Sequence, residues 1–354
     1  MDHDKCDMTM PEKPSRTTLK DVARHANVSI KTVSNVVHNR TARVSPATRE
    51  RIQQAIDELG YRPNLAARQL RNTEVGIIAL AVPTLENPYF ASIASLVVDA
   101  AASKGRIALV DHTNGMREQE LMTVRGLRPD VIDGLIFDPQ TLSESDLTGL
   151  SLHLPIVLIG ERLLQAPFDH VLIDNEEAAY QATMHLIRLG YRRIAAIGVT
   201  GAYEPVVQGL RYSGYLKALD AAGIPHDLSL VKPSNSGRFI RHDGSEAMRV
   251  LLDSPAPPDA VFCFNDLMAI GAMRMAKSRG LRIPEDVAMI GIDDIEEGRY
   301  HTPSLSTISP NKQMMATLAT DLLIQQIEGK RAEAPRHHII PFELIGREST
   351  RVNR

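Results

Sequence analysis

Five side chains stand close together early in the chain: Ile30, Lys31, Thr32, Ser34 and Asn35. They offer an ammonium donor, two hydroxyls, an amide and an apolar tip. Small polar groups of this kind read base edges in the major groove of DNA. The surrounding sequence, TLKDVARHANVSIKTVSNVVH, predicts how they are held. Thr18 begins a helix, with Asp21 three residues on at the spacing of a capping box. Leu19, Val22 and Ala23 give that helix one apolar face. Asn27 suits a turn because Asn tolerates positive φ. Ser29 can cap a second helix, in which Val33, Val36 and Val37 face inward and the five side chains remain at the front. Two short helices joined by a tight turn form a helix-turn-helix, and the second has the size of a major-groove reader.

Other residues with chemical potential fall at the ends of apolar runs. Asn87 follows VGIIALAV, and Gly160-Glu161-Arg162 follows PIVLI. Asn265-Asp266 follows AVFCF, and Asp293-Asp294 follows VAMIGI. Catalysis finds little support among them. Asp293 and Asp294 are adjacent, so their side chains point apart and no nucleophile accompanies them. His337 and His338 are adjacent on an expected strand and point to opposite faces. No GxSxG, HExxH or P-loop occurs. No metal constellation, cofactor site or catalytic residue is expected.

The two cysteines, Cys6 and Cys263, make no disulfide framework. No apolar run approaches the roughly 18 residues that span a bilayer. The polar N-terminus, MDHDKCDMTMPEKPSR, has no hydrophobic signal core, so a cytosolic protein is expected. The net charge of −3 hides an asymmetry. Residues 16–71 hold eleven Lys and Arg against four acids, a surplus of seven that leaves −10 for the rest. A basic head on an acidic body suits a polyanion partner for the head alone.

Along the chain, residues 1–17 read as a flexible leader and 18–62 as the DNA-binding head. Arg40 and Arg43, in the loop after the helix pair, are placed to reach phosphates. Ser45-Pro46 starts a third helix that Gly60 ends, with Ile52, Ala55, Ile56 and Leu59 inward. Residues 63–73 contain a short helix, marginal alone in water, that serves as a hinge. From 74 to 354, apolar β-rich runs alternate with amphipathic helices, which predicts two doubly wound α/β lobes. The expected N-lobe is about 74–170 with 306–335, and the C-lobe about 171–305 with 336–354. HVLID (170–174) is read as opening the second lobe, and LSLV as one of its strands. Ligands of such sheets sit beyond the strands' carboxyl ends.

The stretch TLKDVARHANVSIKTVSNVV…RVSPATRERIQQAIDELGYRPNLAARQLR, with NPYF, FNDLMAIGAMR, VAMIGIDD and TPSLSTI downstream, resembles the LacI/GalR family of bacterial transcription regulators. The body resembles periplasmic sugar-binding proteins. The resemblance implies a homodimer on a pseudopalindromic operator, with a hinge that folds on DNA and enters the minor groove. Leu70 matches the family's intercalating hinge leucine, an apolar wedge that kinks the duplex. Asn64 and Ala67 match hinge positions near the groove floor. Ile30 and Lys31 occupy the positions that most influence operator choice. Lys31 can donate to guanine O6/N7, and Ile30 can meet a thymine methyl. Asn35 replaces the arginine often found at its position, which implies an altered operator. The DNA-binding set also takes in Thr18, Ser29, Thr32, Ser34, His38, Arg43 and Arg71.

For the effector, the resemblance points to Arg211 in GLRYSGY, Asn265 in FND and Asp293 in GIDD. It also points to Phe239 in GRFIRHDG as a ring that packs on the ligand. Asn87, Tyr89, Phe90 and Glu161 complete the candidates. Asn265 and Asp293 would serve equally as helix caps, and Phe239 as core. Gly160 stands where several sugar-binding members carry a carboxylate. The expected function is a ligand-responsive repressor whose effector is a sugar or related metabolite. The alternatives are a solute-binding module without a DNA role and a sugar-metabolism enzyme. The short polar end ELIGRESTRVNR carries no leucine heptad and favours a dimer over a tetramer.

Overall fold

The computed structural model describes residues 17–37, 44–61, 75–125, 131–147, 154–199, 207–330 and 334–351. The chain forms two compact units, Met1–Thr73 and Glu74–Arg354. In the first, α1 (Leu19–His25), α2 (Ile30–Val37) and α3 (Pro46–Glu58) pack together. Each starts at a hydroxyl. Thr18 forms a capping box with Asp21, the Ser29 hydroxyl accepts from Thr32 N–H at 3.1 Å, and Ser45 caps α3 ahead of Pro46. The turn between α1 and α2 passes through Asn27 at φ 50. Gly60, at φ +56, follows the end of α3. Val22, Ala23, Ala26, Val33, Ile52, Ala55 and Tyr61 make the core. Burial of so few side chains is a small driving force, so the caps matter here.

The second unit holds two six-stranded sheets. The first uses β1 (Ile77–Val82), β2 (Ile107–His112), β3 (Gly134–Phe137), β4 (Ile156–Ile159), β5 (Asp169–Leu172) and β11 (His337–Ile339). Its order is β11-β5-β4-β3-β1-β2, all parallel. The second uses β6 (Ile194–Val199), β7 (Val231–Pro233), β8 (Ala260–Cys263), β9 (Ala288–Ile292), β10 (Ser306–Pro310) and β12 (Phe342–Ile345). Its order is β12-β10-β9-β8-β6-β7, parallel except for β12. Between strands run α4 (Pro88–Ser103), α5 (Arg117–Val124), α6 (Glu144–Leu147), α7 (Asn175–Arg188), α8 (Val207–Ala221), α9 (Arg241–Leu252), α10 (Asp266–Ser278), α11 (Glu296–Tyr300) and α12 (Lys312–Ile327). Strands buried on both faces read as continuous apolar runs, as β3, β4 and β9 do.

The structure corrects the expected lobe boundaries. HVLID does not open the second lobe, because β5 pairs with β4 in the first sheet through Leu158↔His170. The link between them is a loop packed by Leu163, Ala166 and Phe168, not a helix. That missing helix made the pair look like a break between lobes. β10, expected in the N-lobe, lies in the second sheet beside β9. α12 then packs on the first sheet, against α4 and β3 to β5. β11, expected in the C-lobe, pairs with β5 in the first. LSLV is also corrected: Leu228–Leu230 is a 3₁₀ turn capped by Asp227, and the strand begins at Val231.

Candidate DNA-reading head and effector cleft

In the head, Ile30 and Lys31 lie exposed on the first turn of α2, while Thr32, Ser34 and Asn35 are half-buried. Ile30 is 41% exposed. The Thr32 and Ser29 hydroxyls share a 2.8 Å hydrogen bond. Thr18 is exposed and engaged with Asp21. His25 Nε2 meets Glu58 at 2.8 Å and ties α1 to α3. Lys20, Arg24, Arg49 and Arg51 are exposed on the same small unit. His38, Arg40, Arg43, Asn64, Ala67, Leu70 and Arg71 lie outside the described residues.

In the second unit, the carboxyl ends of both sheets border a cleft of about 480 Å³. All eight expected effector residues line it: Asn87, Tyr89, Phe90, Glu161, Arg211, Phe239, Asn265 and Asp293. Asn87 caps α4, accepting from Tyr89 N–H at 3.0 Å. The Tyr89 and Phe90 rings meet edge to face at 5.2 Å. Asn265 caps α10 through Met268 N–H and donates to the Phe239 carbonyl at 2.9 Å. Capping and cleft lining are thus combined in one side chain. Phe239, at φ 54, sits in the loop 234–240. Asp243 organises that loop, accepting from the Ser234 and Ser236 hydroxyls and from Ser236 N–H.

Arg211 stands on α8 and is fixed from two sides. Its Nε donates to Asn175 Oδ1 at 2.7 Å, and its Nη1 donates to the Phe264 carbonyl. Asn175 passes the link on, donating to Glu161 Oε1 at 2.5 Å. Asp293, at φ 123, is 5% exposed. The backbone carbonyls of Asp293 and Asp294 both accept from Lys312 Nζ, at 2.6 and 3.0 Å. The carboxylates diverge in role. Burial would raise Asp294, yet hydrogen bonds from Arg299, Arg347 and Ser309 bring it down to about 2. Burial pushes Asp293 up to about 6 against the pull of Arg211 and Lys312. Burial likewise pushes Glu161 up to about 7. Behind them, Asp266 is raised to about 8 by burial and then by Asp293. It accepts from Thr307 Oγ1 and Ile295 N–H, bracing the loop that carries Asp293.

Among the lining residues that escaped the sequence reading are Asp138, Gln140 and Asn175. Asp138 directly follows β3, so the strand-end rule points to it as it pointed to Glu161. Burial, then Glu161, raises Asp138 well above the usual carboxylate range. A Cβ at Gly160 would lie 3.9 Å from Asp138 Oδ1. The carboxylate at this point of the cleft therefore comes from the neighbouring strand. Asn175 follows β5, which had been assigned to the other lobe. His337 sits edge to face on His170 at 5.1 Å, and no group of three metal-binding side chains occurs among the described residues. No helix among them is long and apolar enough to cross a membrane.

Residues 18–64 match the bacterial regulatory proteins of the lacI family, and residues 183–350 match the periplasmic binding protein-like domain. The transcriptional repressor PurR of Erwinia tasmaniensis is 35% identical over 336 residues, covering 94% of this chain and 96% of its own. The lac repressor dimer bound to operator and the anti-inducer ONPF superposes with a TM-score of 0.81 at 27% identity, over 95% of this chain and 99% of that one. The complex of the regulator CelR with cellobiose gives 0.69 at 32% identity, over 94% and 100%. The chain belongs to the lacI family of bacterial regulatory proteins and is a DNA-binding transcriptional repressor controlled by a small effector.

Proposed function

We propose that the repressor acts in the cytoplasm as a homodimer on a pseudopalindromic operator. Each α2 enters a major groove, with Ile30 and Lys31 on base edges and Thr32, Ser34 and Asn35 on neighbouring bases or phosphates. Thr18, Ser29, His38, Arg43 and Arg71 hold phosphates. Asn64, Ala67 and Leu70 form the minor-groove hinge. A sugar in the cleft, held by Arg211, Asn265 and Asp293 and faced by Phe239, changes the grip on DNA. Asn87, Tyr89, Phe90 and Glu161 supply the rest of the cleft's contacts.

The observation that carries this reading is an exposed Ile30-Lys31 tip on a capped helix, in the same chain as a buried polar cleft. The dimer is supported by the edge strand β2, where Ile107, Leu109 and Val110 are 61%, 40% and 37% exposed. An unpaired edge with apolar side chains favours association. The ligand is bound and not converted, because a regulator needs occupancy alone. The test is fluorescence anisotropy of the full chain on an operator selected from random DNA, with and without sugars. Expected are sequence-specific binding at low salt and a sugar-dependent change in Kd, with no turnover of the sugar. Absence of DNA binding at low salt, or binding that survives removal of residues 1–73, would overturn the reading.

A further inference from the structure

Resting on the effector reading above, we propose that Lys312 couples the effector cleft to the relative setting of the two lobes. It is a positioning residue that ties the turn bearing Asp293 in one lobe to Tyr89 in the other. Asp293 and Asp294 both take positive φ, at 123 and 48. Ordinary side chains rarely adopt this region, and two such residues in succession persist only where their surroundings hold them. The turn's own lobe holds its amides. Asp293 N–H donates to the Ile308 carbonyl at 2.9 Å, Asp294 N–H to the Thr307 hydroxyl at 3.3 Å, and Ile295 N–H to the buried Asp266 carboxylate at 3.0 Å. The other lobe holds its carbonyls, since those of Asp293 and Asp294 both accept from Lys312 Nζ, at 2.6 and 3.0 Å.

Lys312 opens α12, which packs on the first sheet against α4 and β3 to β5, whereas the turn follows β9 of the second sheet. The residue stands two positions after β10, where the chain crosses from the second sheet to the first. Its ammonium also lies 5.9 Å from the centre of the Tyr89 ring on α4, within cation–π range. The Tyr89 hydroxyl donates to Met315 Sδ at 3.6 Å, one turn further along α12. A single half-buried side chain thus touches both walls of the cleft, behind Asp293 on one side and at Tyr89 on the other. A ligand that moves either wall acts on this tie. A contact shared by two packed bodies is where a small shift at a site becomes a movement of lobes. Lys277 gives the one-lobe counterpart, because its Nζ donates to the Thr302 carbonyl at 2.7 Å and both residues lie on the second-sheet side.

The test uses the full chain and needs no effector. Lys312→Met removes the charge and keeps the aliphatic stem. Lys312→Arg can donate to two carbonyls and stack on a ring. Lys277→Met removes an ammonium that acts within one lobe. Hydrogen exchange read by mass spectrometry follows the first turn of α4 and residues 293–296, and anisotropy gives Kd for an operator selected from random DNA. In Lys312→Met, exchange is expected to rise in both segments and the operator Kd to shift by about fivefold or more, the lower end of coupling between sites. Lys312→Arg restores both readouts, and Lys277→Met leaves both unchanged. Tyr89→Leu cuts the same tie from the other lobe and shifts the operator Kd in the same direction, so the proposal is still read if Lys312→Met does not fold. Faster exchange confined to 293–296, an unchanged operator Kd, or the same effect from Lys277→Met makes Lys312 a local brace and overturns the proposal. An unsubstituted chain that binds no operator or no sugar is the separate failure of the earlier reading, and the exchange comparison still decides the tie.

Discussion

Lys31 is exposed on the first turn of α2 and makes no hydrogen bond or ion pair among the described residues. Its ammonium is therefore available to a guanine edge. Lys31→Ala is expected to weaken operator binding by about 1–3 kcal/mol and to relax discrimination at one base pair. A binding series over single-base operator variants checks this. Equal weakening on every sequence would make Lys31 a phosphate contact. At the cleft, Glu161 has a folded-state pKa of about 7, above its ordinary 4.5. The folded protein then holds a proton that the unfolded chain releases between those values. Stability falls as pH rises from about 4.5 to 7 and is flat above. Glu161→Gln removes the cost, so the effector-free protein gains about 1–3 kcal/mol at pH 8 and almost nothing at pH 4.5. Urea unfolding at the two pH values measures the difference. A gain of equal size at both would assign the effect to packing.

The loop bearing Phe239 is placed by the contact between α9 and α10, which works only because two glycines lie in it. A Cβ at Gly244 would sit 1.9 Å from the Met268 carbonyl oxygen, and one at Gly271 would sit 1.8 Å from that of Arg241. Both obstacles are backbone, so a helix must move. Gly244→Ala is expected to cost about 1–3 kcal/mol and to loosen effector binding, because Asp243 and its loop move with α9. Gly105→Ala, at φ +70 in open space, pays only backbone strain of about 1–2 kcal/mol and leaves the cleft untouched. Thermal denaturation and effector titration of the two variants separate these effects. This contact was not legible in the sequence, because nothing local to Gly244 or Gly271 names the helix that each one faces. The helices themselves were legible, because Thr18, Ser29, Ser45 and Asn265 announce their starts. The lobe membership of β5, β10 and β11 was not. Apolar periodicity gives a strand's burial and says nothing of which sheet receives it.

At the scale of the whole molecule, the same limit shapes the site. Strand ends located Asn87, Glu161, Asn265 and Asp293 without knowledge of the lobes, since each sheet presents its carboxyl ends to one cleft. Asn175 was missed because it lies three residues beyond the end of β5, at the first turn of α7. The charge asymmetry was readable outright, and it carries the last prediction. The head concentrates Lys20, Arg24, Lys31, Arg49 and Arg51 on its surface, while the chain outside residues 16–71 sums to −10. Cations that meet phosphates release counterions, so the logarithm of affinity should fall linearly with the logarithm of salt, by about 0.9 per phosphate neutralised. The proposed dimer would double the number of contacts. With six to ten of them, affinity drops by about 10³–10⁵ between 50 and 200 mM salt. The body alone, residues 75–354, should bind no DNA at any salt, because its own charge repels the duplex. Anisotropy titrations across salt test both parts. A flat salt response of the full chain, or DNA binding by the body, would relocate the polyanion site away from the head.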